Sequence, residues 1–256
     1  MGSEMCIRDR PRRDQRQQVV KAARDENLIV VAEGGSLYHM DMSLVQDGNT
    51  SVEHNLPQEF IYDDVIQMYG QTNVAYTPTL AVTYGGLRGE TYYYSRSDVW
   101  KHPILSAHTP PALLRAQSAR RETAPDADYA DAAAAAVSKK LMEAGVPVSI
   151  GAHGQREGLA AHWEMWSFAR GGMSNVQALQ TATTEPARHL GFDKDIGSLE
   201  EGKLADLIIL SENPLDDIRN TDKIEHVMQG GRLYQAETMN EVVTGDKERL
   251  PYYWEK

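Results

Sequence analysis

The strongest constraint on the fold is an alternation of short apolar runs with segments of helical period. The apolar runs cover residues 28–32, 50–54, 74–80 and 146–150, and helical segments separate and follow them. Such alternation predicts parallel strands joined by right-handed helical crossovers. The sequence therefore favours an α/β fold with four strand–helix units. The expected helices are 12–26, 37–46 (capped by Ser36), 58–69, 129–144, 159–169, 175–183 (capped by Ser174) and 185–190, and the expected tail strands are 204–210, 226–229 and 232–234.

Charge and composition exclude several classes of protein. The 256 residues carry a formal net charge of −11, which argues against a nucleic-acid binder that depends on a positive field. No apolar run reaches the ~18 residues that a membrane span needs. Cys6 is the only cysteine, so a disulfide framework and a cysteine-based zinc finger are excluded. The chain also lacks a serine nucleophile elbow, a phosphate-binding loop, a dinucleotide fingerprint and an HExxH motif.

Two segments stand apart from the alternating pattern. Residues 1–10 read MGSEMCIRDR and have neither periodicity nor the features of a signal peptide, so we interpret them as a non-native leader. Residues 81–127 are rich in Gly, Tyr, Pro and Ser and have no clear period. Long ordered loops of this kind are usually functional, and we expect this insertion to cover part of a pocket.

Ligand-type side chains stand at the ends of three predicted strands. The first strand ends at Glu33, the second at Glu53–His54 and the fourth at His153, while the third ends at 77–79 and leads to Tyr84. Sites of α/β folds lie at the carboxyl ends of strands, and imidazole and carboxylate suit a divalent metal ion. The alternative for each histidine is a hydrogen-bonded structural role.

Other candidates have simpler explanations in packing or helix electrostatics. Glu33 could instead be a carboxylate at a helix N-terminus, and Glu53 could orient a neighbour. The residues His162, Trp163 and Trp166 are expected to belong to helix packing. The tyrosines at 92–94 are expected to anchor a loop, with an aromatic shelf for substrate as the alternative.

The C-terminal third resembles the carboxy-terminal signature of the metal-dependent amidohydrolase superfamily. The similar runs are GSLEEGKLADLIIL at 197–210, NPLDDI at 213–218 and VMQGGRLY at 227–234, preceded by QALQTATTEPA at 177–187. The resemblance implies the C-terminal half, strands five to eight, of a TIM-type (β/α)8 barrel, followed by strands of a small β-sandwich. The motifs EGGS at 33–36 and YGG at 84–86 are similar to an imidazolonepropionase-like or dipeptidase-like branch, some members of which are fused to a β-propeller.

The resemblance also implies a site. His54 corresponds to the sixth-strand histidine, so His54 and Glu33 are expected metal ligands, His153 a catalytic residue and Tyr84 a substrate contact. The expected cofactor is a divalent ion, zinc first, with manganese, iron or nickel as alternatives. Two departures matter: Glu33 is the nearest ligand type to the usual fifth-strand His, and His153 stands where the family has an Asp. The general base is therefore open.

The first-strand His-x-His and the fourth-strand Lys of the family have no counterpart here. We therefore expect a fragment in which 1–10 is the leader, 11–196 a partial barrel with insertion 81–127, 197–243 the β-sandwich contribution and 244–256 a tail. Its expected partners are a small-molecule or peptide-like substrate and the missing N-terminal half of the same polypeptide, with no nucleic acid and no membrane span; oligomer formation stays open.

The expected activity of the intact protein is hydrolysis of C–N bonds. We expect the fragment alone to be inactive. The alternative is a non-catalytic, degenerate barrel that acts as a binding or interaction module. The compartment is not given by the sequence, although propeller-fused relatives suggest a bacterial enzyme that is periplasmic or secreted.

Overall fold

The computed structural model describes residues 12–116, 118–119 and 121–255, so the expected leader and Cys6 lie outside the described residues. The helices are α1 Arg13–Asp25, α2 Tyr38–Gln46, α3 Asp63–Gly70, α4 Gly89–Arg96, α5 Pro103–His108, α6 Pro111–Ala116, α7 Asp131–Glu143, α8 Leu159–Arg170, α9 Asn175–Gln180 and α10 Thr184–Leu190. The strands are β1 Val31–Glu33, β2 Ser51–Glu53, β3 Ala75–Thr77, β4 Leu207–Leu210, β5 Ile224–Gln229 and β6 Arg232–Gln235.

Strands β1, β2 and β3 form a parallel sheet in that order, which confirms the predicted α/β alternation. The expected fourth strand, 146–150, is only partly formed, because a single bridge joins Tyr76 to Val148 in the described residues. The Tyr76 N–H donates to the Pro147 carbonyl at 2.9 Å, and the Ser149 N–H donates to the Tyr76 carbonyl at 3.0 Å. Pro147 itself has no N–H to add to the ladder. The segment nevertheless takes the fourth position along the sheet.

The main core lies between this sheet and the helices that cover it. Val52 and Tyr76 of the sheet, Leu141 of α7 and Phe168 of α8 are all fully buried. Removing a side chain of this size from water contributes ~1.5–3 kcal/mol. The core therefore fixes the directions of the strands whose ends carry the candidate site residues.

The insertion contains more regular structure than its sequence suggests. Helices α4, α5 and α6 all lie within 81–127, so this segment is not one continuous loop, although its sequence has no clear helical period. Pro103 and Pro111 each begin a helix, where a missing N–H costs nothing. The tyrosines of α4 then bury their rings in a second core cluster with Trp163 of α8. This tertiary packing stabilises helices that are too short to form alone.

The two predicted helix caps have different outcomes. Ser174 caps α9 as predicted, because its side chain accepts a hydrogen bond from the Gln177 N–H at 3.2 Å. Ser36 does not cap α2, which begins after Leu37 without a side-chain cap. The third helix begins at Asp63 rather than at residue 58, and two aspartates occupy its first turn, where negative charge is favoured.

The tail strands form a separate antiparallel sheet in the order β4, β5, β6. Gly230 and Gly231 connect β5 to β6 with φ of 55° and 78°. Two consecutive residues of positive φ make the tight hairpin turn that glycine permits. Within the described residues, no helix has the length and apolar character needed to cross a bilayer.

Candidate functional site

The candidate site lies at the carboxyl ends of the parallel strands, beside a cavity of about 810 Å³. Polar side chains from the strand ends line one part of it, and apolar side chains line another. The polar lining includes Glu33, Glu53, His54, Thr77, Thr79 and His153, and the apolar lining includes Leu28, Ile29, Ile150, Leu190 and Phe192. The predicted strand-end residues therefore share one cavity.

His54 lies at the centre of the four predicted site residues. Its Nε2 is 3.7 Å from Oε1 of Glu33, and its ring centroid is 5.3 Å from that of His153 and 5.5 Å from that of Tyr84. The His54 N–H donates to the Thr77 carbonyl at 2.8 Å, so the pairing of β2 and β3 extends to the site. The structure thus brings together all four side chains that the sequence singled out.

The imidazole of His54 is buried, with 8% of the residue exposed. Burial lowers the pKa of His54, the neighbouring His153 lowers it further, and Glu33 acts in the opposite direction. The ring is therefore neutral at pH 7, which is the form that binds metal ions. Its Nδ1 is buried and has no hydrogen-bond partner in the described part of the chain. A buried polar atom of this kind is unusual and points to a function.

The turn after Glu33 packs closely against the end of β2. The Gly34 N–H donates to the Glu53 carbonyl at 2.8 Å, and a Cβ at Gly34 would lie 2.4 Å from that oxygen. Only glycine, which has no Cβ, allows the backbone to come this close to the Glu53 carbonyl. The next N–H, of Gly35, donates to Oδ1 of Asp41 at 2.9 Å. Asp41, a residue that the sequence reasoning missed, therefore shapes this turn in place of Ser36.

Tyr84 is held in the site by the residue that follows His54. The Tyr84 N–H donates to Oδ1 of Asn55 at 2.7 Å, and Nδ2 of Asn55 donates to the Tyr84 carbonyl at 3.2 Å. Burial raises the pKa of the Tyr84 phenol, and the charge of Glu33 raises it further. The phenol is therefore a neutral hydrogen-bonding group.

Glu53 points to its own strand, where Oε1 accepts a hydrogen bond from the Ser51 hydroxyl at 2.6 Å.

His153 stands on a turn with left-handed backbone geometry. Ala152 and His153 have φ of 49° and 54°. Such φ values cost on the order of 1–3 kcal/mol each in a non-glycine residue. A Cβ on Gly151 would lie 2.8 Å from the Cα of Thr79, so glycine lets this turn approach the end of the third strand. Strain of this kind is concentrated at functional sites.

A fully buried carboxylate of α8, Glu164, holds this turn. Its Oε1 accepts a hydrogen bond from the Ala81 N–H at 2.6 Å, and its Oε2 accepts one from the Gly151 N–H at 3.4 Å. Burial raises the pKa of Glu164 to about 7. The sequence reasoning missed Glu164; the available signal was a single acidic residue between the aromatic and apolar residues of a buried helix.

The donor chemistry of the site fits a divalent ion. The imidazoles of His54 and His153 and the carboxylate of Glu33 are ligands that zinc accepts, and the Nδ1 of His54 has no protein partner in the described residues that would compete with a metal ion. Within the described residues, however, no group of three or more His, Cys, Asp or Glu side chains is already arranged to hold a metal ion. His54, Glu33 and His153 would therefore supply part of a coordination sphere.

Comparison with known proteins identifies a family model and two relatives that match this chain. A sequence model of the amidohydrolase family matches residues 13–234. The chain is 34% identical over 99 residues to an ochratoxinase from Aspergillus niger, a match that covers 37% of this chain and 21% of the relative. It is 29% identical over 178 residues to a 5-methylthioadenosine/S-adenosylhomocysteine deaminase from Moorella thermoacetica, covering 58% of this chain and 41% of the relative.

A similar solved structure extends the comparison to the fold. The crystal structure of a Xaa-Pro dipeptidase with bound methionine in its active site superposes with a TM-score of 0.62 at 24% identity, over 88% of this chain and 49% of that chain. The likeness supports a TIM-barrel-like α/β fold. The chain spans less than half the length of each of these relatives.

Proposed function

The chain belongs to the amidohydrolase family, and we propose that it is the part of a metal-dependent hydrolase that carries half of a site for cleaving C–N bonds. The observation that supports this proposal most directly is the clustering of Glu33, His54 and His153 at neighbouring strand ends. The names of the relatives, a dipeptidase and a deaminase, agree with chemistry at a C–N bond.

In this proposal Glu33 and His54 are metal ligands, and His153 is a ligand or a proton acceptor. Zinc is the first choice of ion, with manganese, iron or nickel as alternatives. A divalent ion at such a site supplies polarisation of a carbonyl and activation of a water. His54 is suited to ligation because its ring is neutral at pH 7. Tyr84 would donate a hydrogen bond from its neutral phenol to the substrate.

The proposed substrate is a small molecule with an amide, cyclic amide or peptide-like bond. The cavity beside the strand ends joins the polar site to the apolar side chains of Leu28, Leu190 and Phe192. A substrate with a polar scissile group and an apolar substituent fits that division.

The proposal includes a missing N-terminal half that completes the barrel. The chain covers 49% of the similar dipeptidase chain, and its parallel sheet has the three strands β1 to β3 and one bridged segment among the described residues. A barrel of this type needs eight strands. We therefore expect no hydrolysis by the 256-residue chain alone. An exported location in a bacterium is part of the same proposal.

A non-catalytic binding module is the second candidate. It is favoured by His153, which stands where the family resemblance implies an aspartate that accepts a proton. A neutral imidazole has a single lone pair, so it cannot ligate a metal ion and accept a proton through the same nitrogen. A parent protein with a first-strand His-x-His would support the enzyme, and one without it would support the binding module.

The test is zinc binding by the wild-type chain, by His54→Asn and by the matched control His39→Asn, in which an exposed histidine of α2 is replaced. Equilibrium dialysis with metal analysis measures the affinity. We expect His54→Asn to bind zinc about 100-fold more weakly than the wild type, because a ligand is lost, and the control to bind like the wild type. Equal affinity in all three proteins, or unchanged turnover of a His54→Asn parent enzyme, would remove His54 from the site.

A further inference from the structure

A chain of hydrogen bonds connects His153 to the insertion. Nδ1 of His153 lies 3.3 Å from Oε1 of Gln155, and Nε2 of Gln155 donates to Oε1 of Glu90 at 2.9 Å. Glu90 belongs to α4, so a residue of the insertion reaches the candidate site through one side-chain amide. None of the sequence patterns singled out Gln155 or Glu90.

The direction of each of these hydrogen bonds follows from Glu90, whose carboxylate can only accept. A carboxylate accepts hydrogen bonds and donates none, so Glu90 requires the NH₂ end of the Gln155 amide. The carbonyl end of that amide then faces His153. A ring nitrogen that faces a carbonyl oxygen must carry the proton. The neutral imidazole has only one N–H, so Nε2 is left with the lone pair.

Glu90 is buried at a closely packed helix start. It lies in the first turn of α4 and is 8% exposed. A Cβ on the preceding residue, Gly89, would lie 2.4 Å from the Leu80 carbonyl, so the start of α4 packs directly on the chain that leaves β3. The guanidinium of Arg88 lies beside the same carboxylate, with Nη1 3.8 Å from Oε1.

The other oxygen of this carboxylate adds an independent observation. Oε2 of Glu90 is buried without a hydrogen-bond partner in the described residues. Burying an unpaired oxygen costs free energy, on the order of 1–3 kcal/mol. The buried carboxylate of Glu90 is thus destabilising by itself, and it is connected to His153 through the amide of Gln155. An effect on the site explains such a residue better than packing alone.

We propose that Gln155 and Glu90 are positioning residues that fix the tautomer of His153, with the proton on Nδ1 and the lone pair on Nε2. The inference rests on the proposed function, in which His153 acts on the metal ion or the water. It assigns that action to one atom, Nε2. It also gives the insertion a role in setting the tautomer of His153, which differs from the expected role as a cover over the pocket.

The experiment is nitrogen NMR of the full chain labelled with ¹⁵N-histidine, near pH 8, where a histidine of ordinary pKa is neutral. Long-range proton–nitrogen correlation distinguishes a protonated ring nitrogen from one with a lone pair, and His153→Asn identifies the His153 signals. We expect a protonated Nδ1 and an unprotonated Nε2 in the wild type. Gln155→Met keeps the length of the side chain and removes both polar ends, and we expect it to raise the fraction of the Nε2–H tautomer.

Glu90→Gln is the second variant, because an amide at this position lets the Gln155 amide reverse; we expect a mixture of tautomers. Glu157→Gln, which neutralises an exposed carboxylate of the same loop, is the matched control and should give the wild-type spectrum. A wild type with mainly Nε2–H, or tautomer fractions that are the same in the wild type and both variants, would overturn the proposal.

Zinc titration of the same samples separates this proposal from the proposed function. We expect zinc to shift the Nε2 signal of wild-type His153 and to bind Gln155→Met about 10-fold more weakly. An Nδ1–H tautomer that depends on Gln155, without any response to zinc, would support the positioning role and contradict the ligand role. A zinc response with an unchanged tautomer in Gln155→Met would contradict the positioning role alone.

Discussion

Asp41 is a carboxylate that the fold removes almost completely from water, with 1% of the residue exposed. The hydrogen bond that it accepts from the Gly35 N–H stabilises the charged form but does not replace a full hydration shell. Burial therefore raises the pKa of Asp41 from 3.8 to about 6. Asp41 therefore changes its charge in mildly acidic solution. It is hydrogen-bonded to the turn that follows Glu33.

The stability of the chain should report this titration. In the unfolded chain Asp41 ionises near its ordinary pKa, whereas in the folded chain ionisation is disfavoured, so its contribution is fully present below pH 3.8 and is lost as the pH rises through about 6. We expect the free energy of unfolding of the wild type to fall relative to Asp41→Asn by about 3 kcal/mol over that interval, since each pKa unit corresponds to 1.36 kcal/mol.

Urea unfolding of both proteins at a series of pH values measures the difference. The new amide group of asparagine changes stability by an amount that does not depend on pH, so only the change of the difference with pH is interpreted. Two curves that stay parallel across the acidic range would show that Asp41 ionises normally in the folded chain.

At the scale of single residues, the sequence predicted the ligand-type side chains and missed their supports. Glu33, His54 and His153 follow apolar runs, and the parallel-sheet rule alone brings strand ends together. Asp41 and Glu90 lie within helices whose sequence gives no sign that these side chains point into the protein, and the signal for Glu164 is only that it is a single acidic residue between aromatic and apolar neighbours. Their roles depend on which backbone N–H or amide the tertiary fold places opposite them, and no local pattern encodes that.

Helices α4 and α8 meet through stacked aromatic rings, which join the insertion to the rest of the chain. The ring of Tyr93 stacks on Trp163 at a centroid distance of 5.3 Å and an interplanar angle of 12°, and Tyr94 meets the same indole edge-on at 5.1 Å. The expectation that Trp163 serves helix packing and that the tyrosines anchor the insertion is confirmed.

Trp163→Ala should lower the free energy of unfolding by about 3–5 kcal/mol, because it removes a fully buried indole and leaves a cavity between α4 and α8. Chemical denaturation monitored by circular dichroism checks this. Trp254→Ala, which removes a tryptophan stacked on Tyr252 near the C-terminus, is the matched control and should cost less than about 1 kcal/mol. Equal losses in the two variants would contradict the packing role assigned to Trp163.

At the scale of elements, the order of strands and helices was predictable and their lengths were not. The apolar runs predicted strands of five to seven residues, whereas β1, β2 and β3 have three each. Each strand ends where the chain turns towards the site, as at His54, whose φ is 70°. The helices of the insertion were missed because they have only six to eight residues each, which is too short to show a helical period.

The molecule as a whole presents an apolar surface beside its polar site. Leu28, Leu190 and Phe192 line the cavity, and Phe192 is 52% exposed. Exposed apolar surface of this kind, next to a short parallel sheet, favours association with another chain. In the proposed barrel the missing N-terminal half would cover it.

We therefore expect the 256-residue chain to self-associate as its concentration rises and to have no amidase activity. Light scattering coupled to gel filtration measures the association. Addition of the N-terminal half of a parent enzyme should lower the fluorescence of a dye that binds apolar surface and should restore hydrolysis. A monomeric chain that hydrolyses an amide by itself would contradict the proposed half-site.

The contact of Glu164 has a consequence for motion in the site. One carboxylate accepts hydrogen bonds from Ala81, in the chain that leaves β3, and from Gly151, in the turn that carries His153. Neither segment can move outward alone without breaking its hydrogen bond to Glu164, so we expect the two to open and close together. Because the pKa of Glu164 is about 7, its protonated and ionised forms coexist near neutral pH. The rate of that concerted opening should therefore change with pH around neutrality, even though Glu164 itself lies away from the solvent.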